Sequence, residues 1–268
     1  MRSGLLRIGW DGGRSHRLAE LRQEAPLRAL FPRETDGADA VVVNTGGGVL
    51  GGDRLTVEIT LGRDTRALVT SQAAEKVYRS AGPVAELRTT LRVGAGACLT
   101  WVPQETILFE GARLHRLLEV DLDPGGRLLA AEMLVFGRVA RGELLQNARL
   151  REAWEVRIGG RLTWMERFGI TPPCLEILDA PTLGGGARAL ATVVHAGPGA
   201  AAALDAARAA MVVQGTARGG VTAVNGLLVG RLLGPDPLAV RRSLAATLCA
   251  WRDVLLGESA SLPRLWAI

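Results

Sequence analysis

Strict alternation of apolar and polar residues between positions 54 and 61 is the feature that most constrains the fold of this chain. The apolar positions are Leu55, Val57, Ile59 and Leu61. Because successive side chains of a β-strand point to opposite faces, this spacing predicts a strand with one buried face and one solvated face. Shorter versions of the pattern recur at 87–93, 118–122 and 156–158. A chain with so many such segments is predicted to be mainly β.

Glycine-rich turns follow these strands at 62–64, 94–96 and 123–126, at intervals of about thirty residues, which is a spacing typical of stacked repeats. Each turn separates an amphipathic strand from a more apolar one. Gly159-Gly160 predicts a two-residue hairpin turn with positive φ. We therefore predict stacked antiparallel or mixed β layers, which form either a sandwich or an irregular β-helix-like stack.

The composition changes after Pro172-Pro173, where helical signals begin. Residues 199–211 are rich in alanine, and residues 237–256 place apolar side chains at helical spacing before Gly257. The sequence thus predicts two C-terminal helices. We expect a single domain over residues 1–268, with a β-rich part at 1–195 and a helix-containing part at 196–268.

Charge and composition exclude several classes of function. The 32 Lys and Arg residues exceed the 27 Asp and Glu residues, which gives a net charge of +5. No basic run is longer than Arg241-Arg242, and only 4% of the residues are aromatic, so the stacking platform of a nucleic-acid-binding protein is missing. No apolar run reaches the length of a membrane span. We expect a cytoplasmic protein that binds neither nucleic acid nor membrane.

Cysteine and histidine are scarce and scattered. They are Cys98, Cys174, Cys249, His16, His115 and His195. The sequence contains no C-x-x-C pair, so neither a disulfide framework nor a permanent Cys/His metal cage is predicted.

Gly46, Gly48 and Gly51 form a G-x-G-x-x-G pattern within the segment 44–53. A phosphate site of this kind needs a helix directly after the glycines, whereas the next residues alternate as a strand. No Lys-Ser or Lys-Thr pair follows the glycines either. We therefore predict a tight loop between strands, in which the glycines adopt positive φ or approach another backbone, and no nucleotide site.

Lys76 is the only lysine and Tyr78 the only tyrosine of the chain. In a strand the two side chains would share one face, and Glu75 and Arg79 would share the other. The segment is either a solvated strand edge or a charged contact surface centred on an aromatic side chain. The Tyr-Lys pair of dehydrogenases has the opposite order and helical spacing, so it does not fit.

Several carboxylates stand where the pattern calls for hydrocarbon. Glu132 and Glu166 share strand faces with apolar side chains, Glu105 lies beside Ile107, and Asp53 ends the glycine loop. A buried carboxylate costs several kcal/mol unless it is paired, protonated or bound to a cation. Two interpretations stay open: an internal arginine partner for each carboxylate, or a wet internal path lined by Asp53, Glu132 and Glu166.

Taken in order, several segments resemble the UreD (UreH) family of urease accessory proteins. They are Ala25-Pro-Leu-Arg28, the glycine loop 44–53, the segment 70–80 with Glu-Lys-Val-Tyr-Arg, the segment 101–111 with Pro-Gln-Glu-Thr-Ile-Leu-Phe, Gly137-Arg138 through Gly142-Glu143, and Leu262-Pro-Arg-Leu-Trp-Ala267. The resemblance spans nearly the whole chain. Small departures occur at Ala25, Ser71 and Leu265, where glycine, threonine and isoleucine are usual.

The resemblance implies a non-enzymatic maturation factor that binds the urease apoprotein and recruits UreF and the GTPase UreG. Nickel would pass through it in transit, with no permanently bound cofactor. Carboxylates and water bind such an ion more weakly than thiolates do, which suits transient passage. The candidate nickel contacts are Asp53, Glu132 and Glu166. The candidate partner contacts are Glu75, Lys76, Tyr78, Arg79, Gln104 and Glu105.

Two other classes of function are compatible with the residues alone. One is a β-sandwich module that binds a ligand unrelated to metal. The other is an enzyme that uses Lys76 and Tyr78, although the sequence shows no nucleophile-base pair to support it.

Overall fold

The computed structural model describes residues 1–12, 17–32 and 39–267. The strands, in chain order, are β1 (Ser3–Asp11), β2 (Arg17–Glu24), β3 (Leu27–Leu30), β4 (Ala40–Asn44), β5 (Arg54–Leu61), β6 (Arg66–Ser71), β7 (Glu75–Val77), β8 (Ala85–Val93), β9 (Cys98–Val102), β10 (Thr106–Leu108), β11 (Arg113–Leu122), β12 (Arg127–Phe136), β13 (Arg149–Ile158), β14 (Arg161–Ile170), β15 (Ala189–Ala196), β16 (Arg218–Val224) and β17 (Leu227–Gly234). The α-helices are α1 (Cys174–Asp179), α2 (Leu204–Ala209) and α3 (Pro237–Trp251).

The strands form two sheets. Sheet 1 has the order β14-β13-β11-β8-β5-β1-β2, and sheet 2 has the order β16-β17-β15-β12-β9-β6-β4-β3. Beside sheet 2, β10 pairs in parallel with both β12 and β7. The chain alternates between the sheets from β5 to β12, and strands of successive turns pair in parallel. The predicted mainly β fold is confirmed. Of the two predicted arrangements, the parallel pairing shows the β-helix-like stack, a β-solenoid, and not the sandwich.

The three predicted turns each carry the chain from sheet 1 to sheet 2. Their backbones adopt positive φ at Asp64, Gly96 and Gly125. Because each turn stacks on the preceding one, equivalent strand positions come into register, so that Leu55 lies beside Leu87 and Leu87 beside Arg116. The Gly159-Gly160 hairpin is also confirmed, with φ of 58° and 78°.

Two buried layers hold the fold together. The first lies between the sheets and contains side chains such as Leu6, Ile59 and Trp154. The second lies between the other face of sheet 2 and the helices, and it includes Leu244 and Trp251 of α3. Together these layers make sheet 2 the central layer of the protein.

The C-terminal helices occur where the sequence predicts them, with changes in extent. Helix α3 begins at Pro237, is capped by Asp236, and continues through the π-helical turn Arg252–Leu256 to Gly257. The predicted helix at 199–211 is shorter, since a 3-10 turn at Ala201–Ala203 precedes α2. Helix α1 was not predicted, because six residues are too few to establish helical periodicity.

Strands β16 and β17 lie within the part predicted to contain the helices, where they extend sheet 2 beyond β15. None of the helices in the described ranges has the length and apolar character that crossing a bilayer requires.

Candidate functional site

A cavity of about 200 Å³ lies between the two sheets. Sheet 1 lines it with residues of β5, β8 and β11, and sheet 2 lines it with residues of β4, β9 and β12. Among the lining residues, Gly47, Gln72 and Lys76 are exposed, whereas Arg116 and Glu132 are buried. The cavity therefore leads from the glycine loop and the Lys76 segment to charged side chains inside the protein.

Arg116 is the centre of the buried charges. Its Nη2 lies 2.7 Å from Glu152 Oε2 and 3.3 Å from Glu132 Oε2, and its Nη1 donates to Thr106 Oγ1 at 2.9 Å. The contact with Glu132 is close enough for an ion pair but is not aligned as a hydrogen bond, and Glu132 Oε2 accepts no hydrogen bond from any other group. Arg116 Nε also lacks a hydrogen-bond partner. Unpaired buried polar atoms of this kind are rare and call for water or a ligand.

Antiparallel pairing of β12, β15 and β17 extends these charges across sheet 2. In sheet 2, Glu132 lies beside Thr192 and Thr192 beside Arg231, which donates to the threonine hydroxyl at 2.7 Å. Arg231 also forms an ion pair with Glu166. The network thus joins three carboxylates, those of Glu132, Glu152 and Glu166, to the guanidinium groups of Arg116 and Arg231. Its Glu166–Arg231 end is partly exposed.

One carboxylate is in excess in this network. Burial raises the pKa of Glu132, and the negative charge of Glu152 raises it further, while Arg116 and a hydrogen bond from Trp101 act in the opposite direction. The excess negative charge is stabilised by a proton, by water or by a cation.

Asp53, the third candidate nickel contact, is buried outside the cavity lining. Its carboxylate accepts hydrogen bonds from Arg2 Nε at 2.9 Å, the Arg2 backbone N–H at 2.8 Å and the Leu50 N–H at 3.0 Å. Burial alone would raise the pKa of Asp53, but these hydrogen bonds and the Arg2 charge outweigh burial and hold that pKa below its ordinary value. Asp53 thereby fastens the start of β1 to the glycine loop.

The glycine loop leads directly into strand β5, as the sequence predicts. Gly47, Gly48 and Gly52 have positive φ. A β-carbon at Gly48 would lie 2.5 Å from Cε2 of Tyr78, so only glycine fits there. The Tyr78 hydroxyl donates to the Gly47 carbonyl at 2.9 Å. Loop and tyrosine therefore support each other.

We use the term rim for Gly47–Gly48 together with Glu75–Arg79. Within the rim, Lys76 and Arg79 are exposed, and Tyr78 packs edge-on against Phe109. Glu75 is more enclosed: burial raises its pKa, and Asn44 Nδ2 donates to both of its carboxylate oxygens at 3.1 Å. The rim presents two cations beside a tyrosine whose hydroxyl and ring both have partners.

Gln104 and Glu105 are engaged within the chain. Arg241 Nη1 donates to Gln104 Oε1 at 2.6 Å and to Glu105 Oε2 at 2.8 Å. Gln104 also donates to the Leu265 carbonyl at 3.1 Å. These contacts join the residues before β10 to helix α3 and to the C-terminal segment.

Sequence reasoning missed Arg116 and Glu152, although the signal for both is present. Arg116 occupies an inward position between Leu114 and Leu118, and Glu152 lies inward between Leu150 and Trp154. Extending the alternation pattern toward the start of each strand would have found them. The partnership of Glu166 with Arg231 has no comparable local signal, because the two strands belong to different sheets.

Nowhere in residues 1–12, 17–32 and 39–267 do three or more His, Cys, Asp or Glu side chains gather into a group that could hold a metal ion. Asp53, Glu132 and Glu166 are accordingly not assembled into one binding site. His16 lies outside the described residues.

Comparison with known proteins gives a consistent result over almost the full length. Residues 3–267 match the model of the UreD urease accessory protein family. The chain is 41% identical to the urease accessory protein UreD of Methylobacterium sp. (strain 4-46), over 97% of this chain and 92% of the relative. It is 41% identical to UreD of Azorhizobium caulinodans, over 99% and 96%, and 39% identical to UreD of Brucella suis, over 99% and 94%.

Proposed function

The chain belongs to the UreD family of urease accessory proteins, and on that basis we propose that it binds the urease apoprotein, recruits UreF and the GTPase UreG, and conducts nickel. It is a urease maturation factor, and proteins of this family are non-enzymatic scaffolds. The specific partners, a cytoplasmic location and a single-domain organisation are part of the proposal.

The observation that carries the nickel route is the cavity that ends at Glu132. Its inner wall holds an excess carboxylate, one oxygen of which accepts no hydrogen bond, and its outer lining includes Gly47 and Lys76 of the rim. A divalent cation would supply the missing positive charge. Because carboxylate oxygens bind nickel less tightly than thiolates, the ion would be held briefly and released.

Among the candidate nickel contacts, Glu132 has the strongest support, since it alone of the three lines the cavity. Glu166 belongs to the same charge network through Arg231, and Asp53 lies at the base of the glycine loop. Each of the three carboxylates also forms an ion pair with an arginine. The alternative to nickel contact is therefore that the carboxylate serves only to stabilise the fold. The proposal assigns nickel contact first to Glu132, then to Glu166, and last to Asp53.

The rim is the proposed contact surface for a partner protein. Lys76 and Arg79 are free to meet acidic groups, and Tyr78 gives them a base fixed by its hydrogen bond and its packing on Phe109. We retain three further candidate partner contacts: Glu75, which belongs to the rim, and Gln104 and Glu105, which contact Arg241.

A ligand-binding module is less well supported than nickel conduction. Pockets for drug-sized ligands measure about 300–1,000 Å³, and this cavity is smaller. A small hydrated cation fits the space and the charge better than an organic ligand does.

The decisive experiment is nickel loading of urease by a complex that contains the Glu132→Gln variant. The matched control is Glu155→Gln, which changes a carboxylate paired with Arg157 and Arg167, and none of these three residues lines the cavity. We expect Glu132→Gln to lower the nickel content of urease while the complex still assembles, and Glu155→Gln to leave loading unchanged.

Three measurements are needed together: complex size by gel filtration, melting temperature of the isolated chain, and nickel per urease by elemental analysis. Full loading with Glu132→Gln would exclude this residue from the route. Lost loading together with a collapsed melting temperature would favour the structural ion pair.

A further inference from the structure

The solvent face of sheet 1 is electrostatically uneven. Strands β5, β8, β11 and β13 run parallel, so their N-terminal ends share one edge of the sheet. Over much of this face, outward charges form direct ion pairs. These pairs are Arg7–Glu58 at 2.9 Å, Arg92–Glu58 at 3.6 Å, Arg88–Glu119 at 2.6 Å, Arg157–Glu155 at 2.8 Å and Arg167–Glu155 at 2.7 Å.

At the N-terminal edge, four basic side chains face solvent in adjacent register positions. Arg113 of β11 lies beside Arg149 of β13, and His115 lies beside Arg151. We call these two pairs the cationic rows. Like charges directly opposite each other in a sheet, as Arg113 and Arg149 are, are destabilising, so the arrangement calls for a compensating anion.

No carboxylate in the described residues neutralises the rows. Arg149 and Arg151 form no ion pair within these ranges, and Arg113 donates to the neutral carbonyl of Gly82 at 3.0 Å. On its other side Arg151 faces Gly169, which has no side chain. Glu86 lies beside His115 but is 3.4 Å from Arg54, with which it is paired.

We propose that the cationic rows bind an acidic, extended segment of a partner protein. Adjacent strands lie about 4.8 Å apart, and alternate residues of one strand lie about 6.6 Å apart. Carboxylates at positions i and i+2 of an extended segment have the same spacing as the two rows. Arginine suits this role because its planar fork binds a carboxylate through two parallel hydrogen bonds.

The chemistry of the face favours a protein over a nucleic acid. The outward positions of β11 and β13 beyond the rows are Leu117, Glu119, Asp121, Ala153, Glu155 and Arg157. None of these offers an aromatic ring on which a base could stack, and several are acidic. A peptide that presents two carboxylates fits this small patch without approaching the acidic side chains further along β11 and β13.

The test compares two double variants with equal net charge, using a short oligoglutamate peptide as the probe and calorimetry at low salt as the measurement. Arg149→Ala with Arg151→Ala removes one half of each cationic row. Arg63→Ala with Arg161→Ala removes two exposed arginines near the opposite ends of the strands. The experiment needs neither urease nor nickel, so its outcome is independent of the proposed function.

We expect the row variant to bind the peptide about tenfold more weakly than the native chain, and the control variant to bind as the native chain does. The row variant should also melt at an equal or higher temperature, because it removes like-charge repulsion. If both variants weakened peptide binding equally, the effect would be due to net charge alone, and the proposal would be overturned. Tighter binding of a single-stranded oligonucleotide than of the peptide at the same salt would assign the rows to nucleic acid instead.

Discussion

The two buried layers of this protein differ in chemistry although both are well packed. Beneath the helices, Trp251 donates to the Ala207 carbonyl, and the hydroxyl groups of Ser243 and Thr247 have backbone partners. Between the sheets, Arg116 and Glu132 are equally buried but keep unpaired atoms next to a cavity. The helix-covered layer is suited to stability, whereas the inter-sheet layer contains the buried charges on which the proposed nickel route depends.

The largest effect is expected when the helix-covered layer is broken. Trp251→Ala should lower the free energy of unfolding by about 3–5 kcal/mol, because a fully buried indole leaves a large cavity. Urea unfolding measures the loss, with Trp251→Phe as a milder control. Urease assembled at low temperature with this variant should still load nickel. A loading defect in correctly assembled complexes would show that the helix-covered layer contributes to nickel transfer as well as to stability.

Asp53→Ala should come next, with a loss of about 3 kcal/mol, since it leaves the Arg2 charge and several N–H groups without their acceptor. Because the pKa of Asp53 is lower in the folded state than in the unfolded state, its stabilisation is present above the unfolded pKa. That stabilisation is lost as the pH falls through the folded pKa.

The measurement for Asp53 is the free energy of unfolding as a function of pH in the acid range. The native chain should lose more stability than Asp53→Asn as the pH falls, and the two curves should converge at low pH. Parallel curves would show that the carboxylate contributes nothing through its charge.

Within the inter-sheet layer, the two partners of Arg116 should differ. Glu152→Gln removes the closer partner, at 2.7 Å, and should cost about 2 kcal/mol. Glu132→Gln removes the excess carboxylate while the Glu152 contact remains, and should change stability by less than about 1 kcal/mol. Chemical denaturation of the two variants compares them directly. A larger loss for Glu132→Gln would show that Glu132 is the structural partner.

The smallest effect is expected at the rim. Tyr78→Phe should cost about 0.5–1 kcal/mol, because it removes one hydrogen bond to Gly47 and keeps the ring on Phe109. Tyr78→Ala should leave the isolated fold intact but weaken assembly with urease and its other accessory proteins. Gel filtration of co-expressed complexes tests this, and unchanged assembly of Tyr78→Ala would remove the rim from the contact surface.

Much of the fold could be predicted from local pattern. The alternation at 54–61, the turns near Gly94 and Gly125, and the helical spacing before Gly257 each depend on residues close in sequence. The site was predictable only in part. The burial of Glu132 followed from its apolar neighbours, and its 6% exposure confirms that prediction. Unbroken alternation along β14 would place Leu162 on the face of Glu166, yet the register shifts between Val156 and Arg157 of the paired strand, and Leu162 is 45% exposed.

The sequence by itself determined the period of the strands, the tight glycine loop before β5, and the placement of carboxylates among apolar side chains. Only the tertiary structure decided which arginine meets which carboxylate. Arg116 reaches Glu132 across the two sheets and Arg231 reaches Glu166 in the same way, through contacts that depend on how turns stack and which strands share register. Pairing between distant strands is fixed by the packing of the whole solenoid, because no local propensity encodes which side chains of two facing sheets will meet.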